Sequence, residues 1–184
     1  MGIRSLAPFV RSYRRYGPDR LPGADRREVG AGYAATLAAL GASVLFVAAT
    51  VGATRLGFDS GFLAAATLLA LPAVLPTAFL AGAATWRWLP ASVPQFGAVA
   101  GVVAATLAYL LAGAAFAAVF TVAETGRTLG TTGDLVAGGV LDAFGFGALV
   151  AVTAVLASAW LVVPVAALAG HVHERSRRDH TVAG

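Results

Sequence analysis

The sequence predicts an all-α membrane protein, a bundle of four transmembrane helices, and three observations carry that prediction. Charged residues make up only 12% of the 184-residue chain, whereas a soluble domain usually carries about 25%. Hydrophobic residues make up 58%, and the mean hydropathy is +0.78. Four apolar runs each exceed the ~20 residues that a helix needs to cross a bilayer. Backbone groups in lipid must bond within their own segment, which favours helices over open strands.

Residues 1–28 precede the first apolar run and form a basic segment that holds seven arginines. Ile3, Leu6 and Val10 recur at helical spacing, which predicts a short helix lying on the membrane surface. A disordered basic tail is the alternative. In either form we expect this segment to be cytoplasmic or to lie at the membrane interface.

The membrane domain is predicted over residues 29–170, followed by a polar cytoplasmic tail over 171–184. The fourth apolar run is long for one span, because its 35 residues from Leu135 to Ala169 would make about 52 Å of straight helix. Four glycines and Asp142 lie in its first part, which predicts an interfacial or broken segment there, with a re-entrant element as the alternative. The four spans are therefore expected at about 29–53, 61–85, 97–122 and 146–169.

The placement of the arginines predicts the orientation. Eleven of the 13 basic residues, all of them arginines, lie in the two terminal segments and in the loop between the second and third spans. The other two loops carry one arginine each. The positive-inside rule therefore places both termini in the cytoplasm, in a multi-pass protein of the cell membrane. Trp86, Trp88 and Phe96 are expected at the inner interface as aromatic anchors.

A shared pattern suggests that the bundle is two copies of a two-helix hairpin. The second run contains Pro76, Gly82 and Arg87, and the fourth repeats their P-x5-G-x4-R spacing in "PVAALAGHVHER". The first and third runs share the stretch "AATLA". Parallel repeats related by an axis along the membrane normal occur in membrane proteins. Chance is the alternative, because a proline near a span end with an arginine beyond it is common in membrane helices.

Prolines and small residues are the structural candidates within the spans. Pro72 and Pro76 in the second span and Pro164 in the fourth predict kinks at corresponding depths, because proline removes a backbone donor and clashes with the preceding turn. Gly97 and Gly101 form a small-xxx-small face, which lets two helix backbones approach closely. That face predicts either packing inside the bundle or homodimerisation, and the abundance of alanine throughout the spans favours packing inside.

Residues that could carry chemistry are few. Asp142 is the only acid expected near membrane depth, where an ionisable group is typically functional, and a solvated position at the outer interface is the alternative. His171 and His173 lack a third defined metal ligand and are expected in a solvated tail. The chain has no cysteine and no hydrolase, zinc-protease, phosphate-loop or dinucleotide motif. We therefore predict no catalytic, cofactor or metal site, and no enzyme activity.

These features predict a non-catalytic integral membrane protein, a scaffold or accessory subunit that acts through helix packing. The expected partners are the bilayer, anionic lipid headgroups at the arginine-rich termini, and a second copy or another membrane protein. A small transporter or channel is the alternative, with the proline-kinked second and fourth spans as moving parts and Asp142 as the coupling group. Nucleic-acid binding is not expected, since the arginines flank apolar runs instead of forming a recognition helix.

The lysine-free spans, rich in Ala, Gly and Val, and the polar loop "AETGRTLGTTGD" give the chain a recognisable style. It resembles small multi-span membrane proteins of haloarchaea or other GC-rich prokaryotes. The resemblance extends over the whole chain and includes no diagnostic motif. It implies no activity and assigns no site residue.

Overall fold

The computed structural model describes residues 21–90, 92–132 and 137–182, and in these residues the chain is helical with no strand. The all-α class is therefore confirmed, and by length and composition the four helices are each able to cross a membrane. The predicted surface helix near the N-terminus lies outside the described residues. The helices are α1 (Arg27–Arg55), α2 (Gly61–Trp88), α3 (Phe96–Thr132) and α4 (Ala137–Val182).

The helices form two antiparallel hairpins, α1 with α2 and α3 with α4. Each helix packs against its two neighbours in the ring α1–α2–α3–α4, and the most extensive packing is within each hairpin. Short connections, such as residues 56–60 between α1 and α2, favour this arrangement because they leave no length for a crossover. The architecture is therefore a four-helix bundle built from two pairs.

Each hairpin is held by a glycine at which two helix backbones touch. A methyl group on Gly82 would lie 2.6 Å from Cβ of Ala35 and 2.8 Å from the carbonyl oxygen of Ala31, both on α1. A methyl group on Gly170 would lie 3.0 Å from Cα of Gly101 on α3. Both glycines belong to the P-x5-G-x4-R pattern, and both contact the first helix of their own hairpin close to the AATLA stretch. This equivalence supports the duplication, which stays a prediction.

The small face of Gly97 and Gly101 is covered within the chain. A methyl group on Gly97 would lie 2.5 Å from the carbonyl oxygen of Gly170, and one on Gly101 would clash with the carbonyl oxygen of Ala166. Both partners belong to α4, and both Gly97 and Gly101 are buried. Packing inside the bundle, the favoured interpretation of this face, accounts for its glycines, and no room is left there for a second copy.

Helix α3 is longer than the expected span of 97–122, because the polar stretch after it continues the helix to Thr132. Glu124 and Arg127 form an ion pair one turn apart, with Nε donating to Oε2 at 2.9 Å. The hydroxyl of Thr128 donates to the carbonyl oxygen of Glu124 at 2.9 Å. Such pairs three residues apart stabilise a helix, and the predicted loop of residues 123–138 is helical from 123 to 132 and again from Ala137.

Helix α4 is continuous from Ala137, so the described part of residues 135–148 contains no break, whereas an interfacial position of this segment stays a prediction. One glycine there serves packing, because a methyl group on Gly147 would lie 2.7 Å from Cα of Ala117 on α3, whereas one on Gly145 would have no atom within 4 Å. Close helix contact explains a glycine in a helix as well as a break does. Asp142 lies on an exposed position near the start of this helix.

The prolines do not interrupt their helices. Helix α2 runs through Pro72 and Pro76, and α4 runs through Pro164, with all three side chains exposed. Beside Pro76, the hydroxyl of Thr77 donates to the carbonyl oxygen of Ala73 at 2.8 Å. Neighbouring hydroxyls of this kind help a membrane helix to tolerate proline. Matching bends in α2 and α4 stay a prediction.

Candidate functional site

The two hairpins are in contact at one end of the bundle, where the side chain of Trp86 lies between them. Trp86 is only 3% exposed. Its ring meets Phe96 edge-on with the centroids 5.7 Å apart, and His173 at 5.8 Å. One side chain of α2 therefore contacts both helices of the second hairpin. We call Trp86, Phe96 and His173 the junction.

The burial of the junction corrects two expectations. Trp86 and Phe96 were expected at the membrane interface, yet both are buried, and only Trp88 is exposed. The segment 171–184 was expected to be a solvated tail, yet residues 171–182 continue α4, and His173 and Ser176 have no exposed surface. The physical reason is that residues of α1, α2 and α3 cover this end of α4. No local pattern in the sequence describes such contacts between separate helices.

Helical spacing explains why His173 and Ser176 are buried. They follow Gly170 at intervals of three residues, so all three lie on one face of α4. The close contact at Gly170 holds that face against α3, so the side chains one and two turns later are also buried. The Ser176 hydroxyl is satisfied locally, since it donates to the carbonyl oxygen of His173 at 2.7 Å.

Arginines surround the junction, and we call this part of the bundle the arginine-rich end. Cζ of Arg27 lies 4.7 Å from the centroid of the Phe96 ring, within the range of a cation–π contact. Arg177 Nη2 donates to the carbonyl oxygen of Asp25 at 3.4 Å. The described arginines at this end are Arg26, Arg27, Arg87, Arg175 and Arg177.

Only part of this positive charge is neutralised nearby. Arg26 pairs with Glu28, with Nη2 and Oε1 3.0 Å apart. Within the described ranges, no ion pair involves Arg27, Arg87 or Arg177. The arginine-rich end therefore presents cationic groups to whatever lies against it.

A cavity of about 250 Å³ lies between the two hairpins. It begins at Trp86 and Gly170, beside the junction, and extends along α2 as far as Phe62. Alanines supply most of its wall, and facing methyl groups are too small to fill the space between the helices. Many of the lining residues, such as Ala38 and Val162, are only half-buried, so the cavity opens sideways between the hairpins.

The polar groups in the cavity wall are hydroxyls and one indole. Tyr109 of α3 and Ser158 of α4 are hydrogen-bonded to each other across the second hairpin. Ser158 donates to the carbonyl oxygen of Ala154 at 2.6 Å, so Tyr109 is the donor to Ser158. The lining residues include no acid, histidine or arginine, so the wall can form hydrogen bonds and bury apolar groups at neutral pH.

The candidate residues from the sequence are not brought together. Asp142 and the three prolines are exposed and are not part of the cavity wall. Gly101 lines the cavity, but Gly97 does not. The residues that sequence reasoning missed are the junction and Arg177. The three-residue spacing from Gly170 through His173 was the one signal that could have indicated burial.

Within the described residues, no group of three or more His, Asp or Glu side chains could hold a metal ion. Comparisons with protein-family models, with curated proteins and with solved structures give no match to this chain. The functional argument therefore depends on the junction, the arginine-rich end and the cavity.

Proposed function

We propose that this chain is a non-catalytic integral membrane protein, an accessory subunit or scaffold, that acts by holding an apolar molecule between its two hairpins. The four apolar helices indicate a multi-pass membrane protein. The observation that supports the binding role is the wall of the cavity, which offers methyl groups and hydroxyls around about 250 Å³. Apolar cavities of that composition bind apolar guests.

The same wall makes binding a better proposal than ion-coupled transport or catalysis. General acid–base chemistry needs a titratable side chain beside the reacting group, and coupled transport usually needs an ionisable group within the pathway. Asp142, the candidate coupling residue, lies on the exposed side of α4 instead. The prolines also point away from the cavity, so they do not form a gate in its wall.

The remaining proposals concern the surroundings of the bundle. The positive-inside rule supports a cell-membrane protein with both termini in the cytoplasm, which would place the arginine-rich end at the inner surface. Anionic headgroups are the natural partners of those guanidinium groups that form no ion pair within the described ranges. Exposed apolar side chains, such as Leu69 and Leu80 on α2, would face lipid or a partner membrane protein.

The test compares two alanine-to-phenylalanine substitutions on α3. Ala105 is half-buried and lines the cavity, whereas Ala114 is exposed and does not. Intact-complex mass spectrometry in a mild detergent measures apolar molecules that remain bound to the purified protein. We expect wild type and Ala114→Phe to carry a guest, and Ala105→Phe to be empty. A wild-type protein that carries no apolar guest contradicts the binding role, and so does an Ala105→Phe variant that keeps the guest as Ala114→Phe does.

A further inference from the structure

We propose that the guest is a single anionic phospholipid, with one acyl chain in the cavity and its phosphate against the guanidinium groups of Arg177 and Arg27. The inference rests on the proposed function, because it names the molecule that the cavity holds. It goes further than general attraction of headgroups to basic termini. It assigns one bound lipid, the position of one of its acyl chains in the cavity, and the side chains that contact its phosphate.

The order of chemical groups along the bundle matches the order of groups in a lipid. Guanidinium groups stand at the arginine-rich end, the Trp86 indole comes next, and the alanine-lined cavity follows. A phospholipid presents a phosphate, then ester or ether oxygens, then a hydrocarbon chain. Each part of the lipid would therefore meet the kind of group that stabilises it.

Arg177 connects the positive charge to the end of the cavity. A methyl group on Gly30 would lie 3.5 Å from Arg177 Nη1, so the guanidinium lies beside that glycine. The next residue, Ala31, lines the cavity. Arg27 lies one helical turn before Ala31 on α1, which is a rise of about 6 Å. The guanidinium of Arg177 and the backbone of Arg27 thus lie within about one turn of the cavity wall.

Trp86 adds a second observation that points to a ligand oxygen. It lines the cavity, and its indole N–H is buried without an acceptor in the described part of the chain. A buried donor without a partner is rare in folded proteins. The ester or ether oxygen of a lipid is an acceptor of the type that this group lacks, and a rotation of the indole would bring the nitrogen to it, since the nitrogen itself has almost no accessible surface.

The shape of the cavity selects a lipid chain over a protein segment. A helix with its side chains is about 10–12 Å across, which is too wide for a space of about 250 Å³ that extends along most of α2. An acyl chain is narrow and flexible, and it can enter from the bilayer through the half-buried side of the cavity. The occupant is therefore a lipid, not a second copy of this chain.

The experiment uses quenching of Trp86 fluorescence by brominated lipids. The chain has three tryptophans, and replacing the exposed Trp88 and Trp160 with phenylalanine leaves Trp86 as the only emitter. The full chain is reconstituted into phosphatidylcholine vesicles with a minor fraction of brominated phosphatidylglycerol, and into phosphatidylglycerol vesicles with brominated phosphatidylcholine. The bromines lie near the carbonyl end of the acyl chain. Because Trp86 is buried, strong quenching requires a chain inside the cavity.

We expect brominated phosphatidylglycerol to quench Trp86 strongly and brominated phosphatidylcholine weakly. Arg177→Gln should reduce the preference for the anionic lipid about fivefold, the usual effect of one basic residue near a charged membrane surface. Arg55→Gln, at an exposed position at the other end of α1, is the matched control and should change nothing. If Arg177→Gln does not fold, Arg27→Gln, which removes the other guanidinium assigned to the phosphate, tests the same contact.

The outcomes separate the two proposals through Ala105→Phe, which fills the cavity. Equal quenching by both lipids that Ala105→Phe abolishes overturns the anionic-lipid inference and leaves the binding function standing. Quenching that Ala105→Phe does not change overturns both. No quenching by either lipid overturns the lipid inference, and the binding function then depends on the mass spectrometry of the purified protein. A preference for phosphatidylglycerol that survives in both arginine variants places the headgroup elsewhere and also overturns the inference.

Discussion

Replacing Gly82 with alanine should separate the helices of the first hairpin. The new methyl group would lie 2.6 Å from Cβ of Ala35 and 2.8 Å from the carbonyl oxygen of Ala31. Ordinary contacts of a Cβ begin near 3.4 Å, so α1 and α2 must part by a little under ~1 Å. Since one of the two close atoms belongs to the backbone, a side-chain rotation cannot relieve the clash.

The magnitude follows from the loss of packing. A gap of about 0.5–1 Å removes a quarter to a half of the dispersion energy at the affected contacts, and overpacking of this type typically destabilises by about 1–3 kcal/mol. The substitution also gains about 0.5–1 kcal/mol in helix propensity. We therefore expect Gly82→Ala to lower the free energy of unfolding by about 1–2 kcal/mol, roughly a tenfold change in the unfolding equilibrium.

Gly41→Ala is the matched control, because Gly41 lies on the exposed side of α1 and no atom lies within 4 Å of its added methyl group. Both variants are unfolded by denaturant in mixed micelles and followed by far-ultraviolet circular dichroism. Gly41→Ala gains only the helix-propensity contribution to the free energy of unfolding. The difference in that free energy between the two variants therefore measures the cost of the lost packing. Equal stability of the two variants would refute the direct backbone contact between α1 and α2.

Three further predictions concern other parts of the bundle. Phe96→Ala should destabilise the protein by about 3–5 kcal/mol because it empties a buried site, whereas Trp88→Ala, at an exposed position, should stay within about 0.5 kcal/mol; thermal unfolding in detergent measures both. Tyr109→Phe removes the hydrogen bond to Ser158 and should lower the free energy of unfolding by about 0.6 kcal/mol, the average for such bonds between membrane helices; a loss above ~2 kcal/mol would indicate a wider network. Asp142→Asn should leave both the stability and the Trp86 quenching of the protein unchanged, and a loss of quenching would show that the carboxylate contributes to the cavity.

The number of helices was predictable because the thickness of a bilayer fixes the length of an apolar run. Four runs gave four helices, and the described structure has no strand. The helix ends were less predictable. Helix α3 continues to Thr132 because Glu124 and Arg127 stabilise a polar stretch that hydropathy alone excludes from a span.

The candidate site was mostly hidden from the sequence because burial at the arginine-rich end depends on neighbours from other helices. An aromatic residue at the end of an apolar run has the same local pattern whether it is exposed, as Trp88 is, or covered by a second hairpin, as Trp86 is. His173 was read as part of a tail because the charged residues that follow it suggested solvent. The cavity had no signal of its own, since it results from methyl groups of separate helices facing one another.

The junction also has a consequence for how the protein is made. The chain reaches the membrane from its N-terminus, so Trp86 is inserted long before His173 is synthesised. A chain that stops at residue 172 would keep both glycine contacts, at Gly82 and Gly170, and still leave Trp86 without one of its covering rings. Quality-control proteases degrade proteins whose helices are incompletely packed. Pulse-chase turnover of a chain truncated at residue 172 should therefore be faster than that of a chain truncated at residue 178, and equal lifetimes would show that the junction has no part in surveillance of the nascent protein.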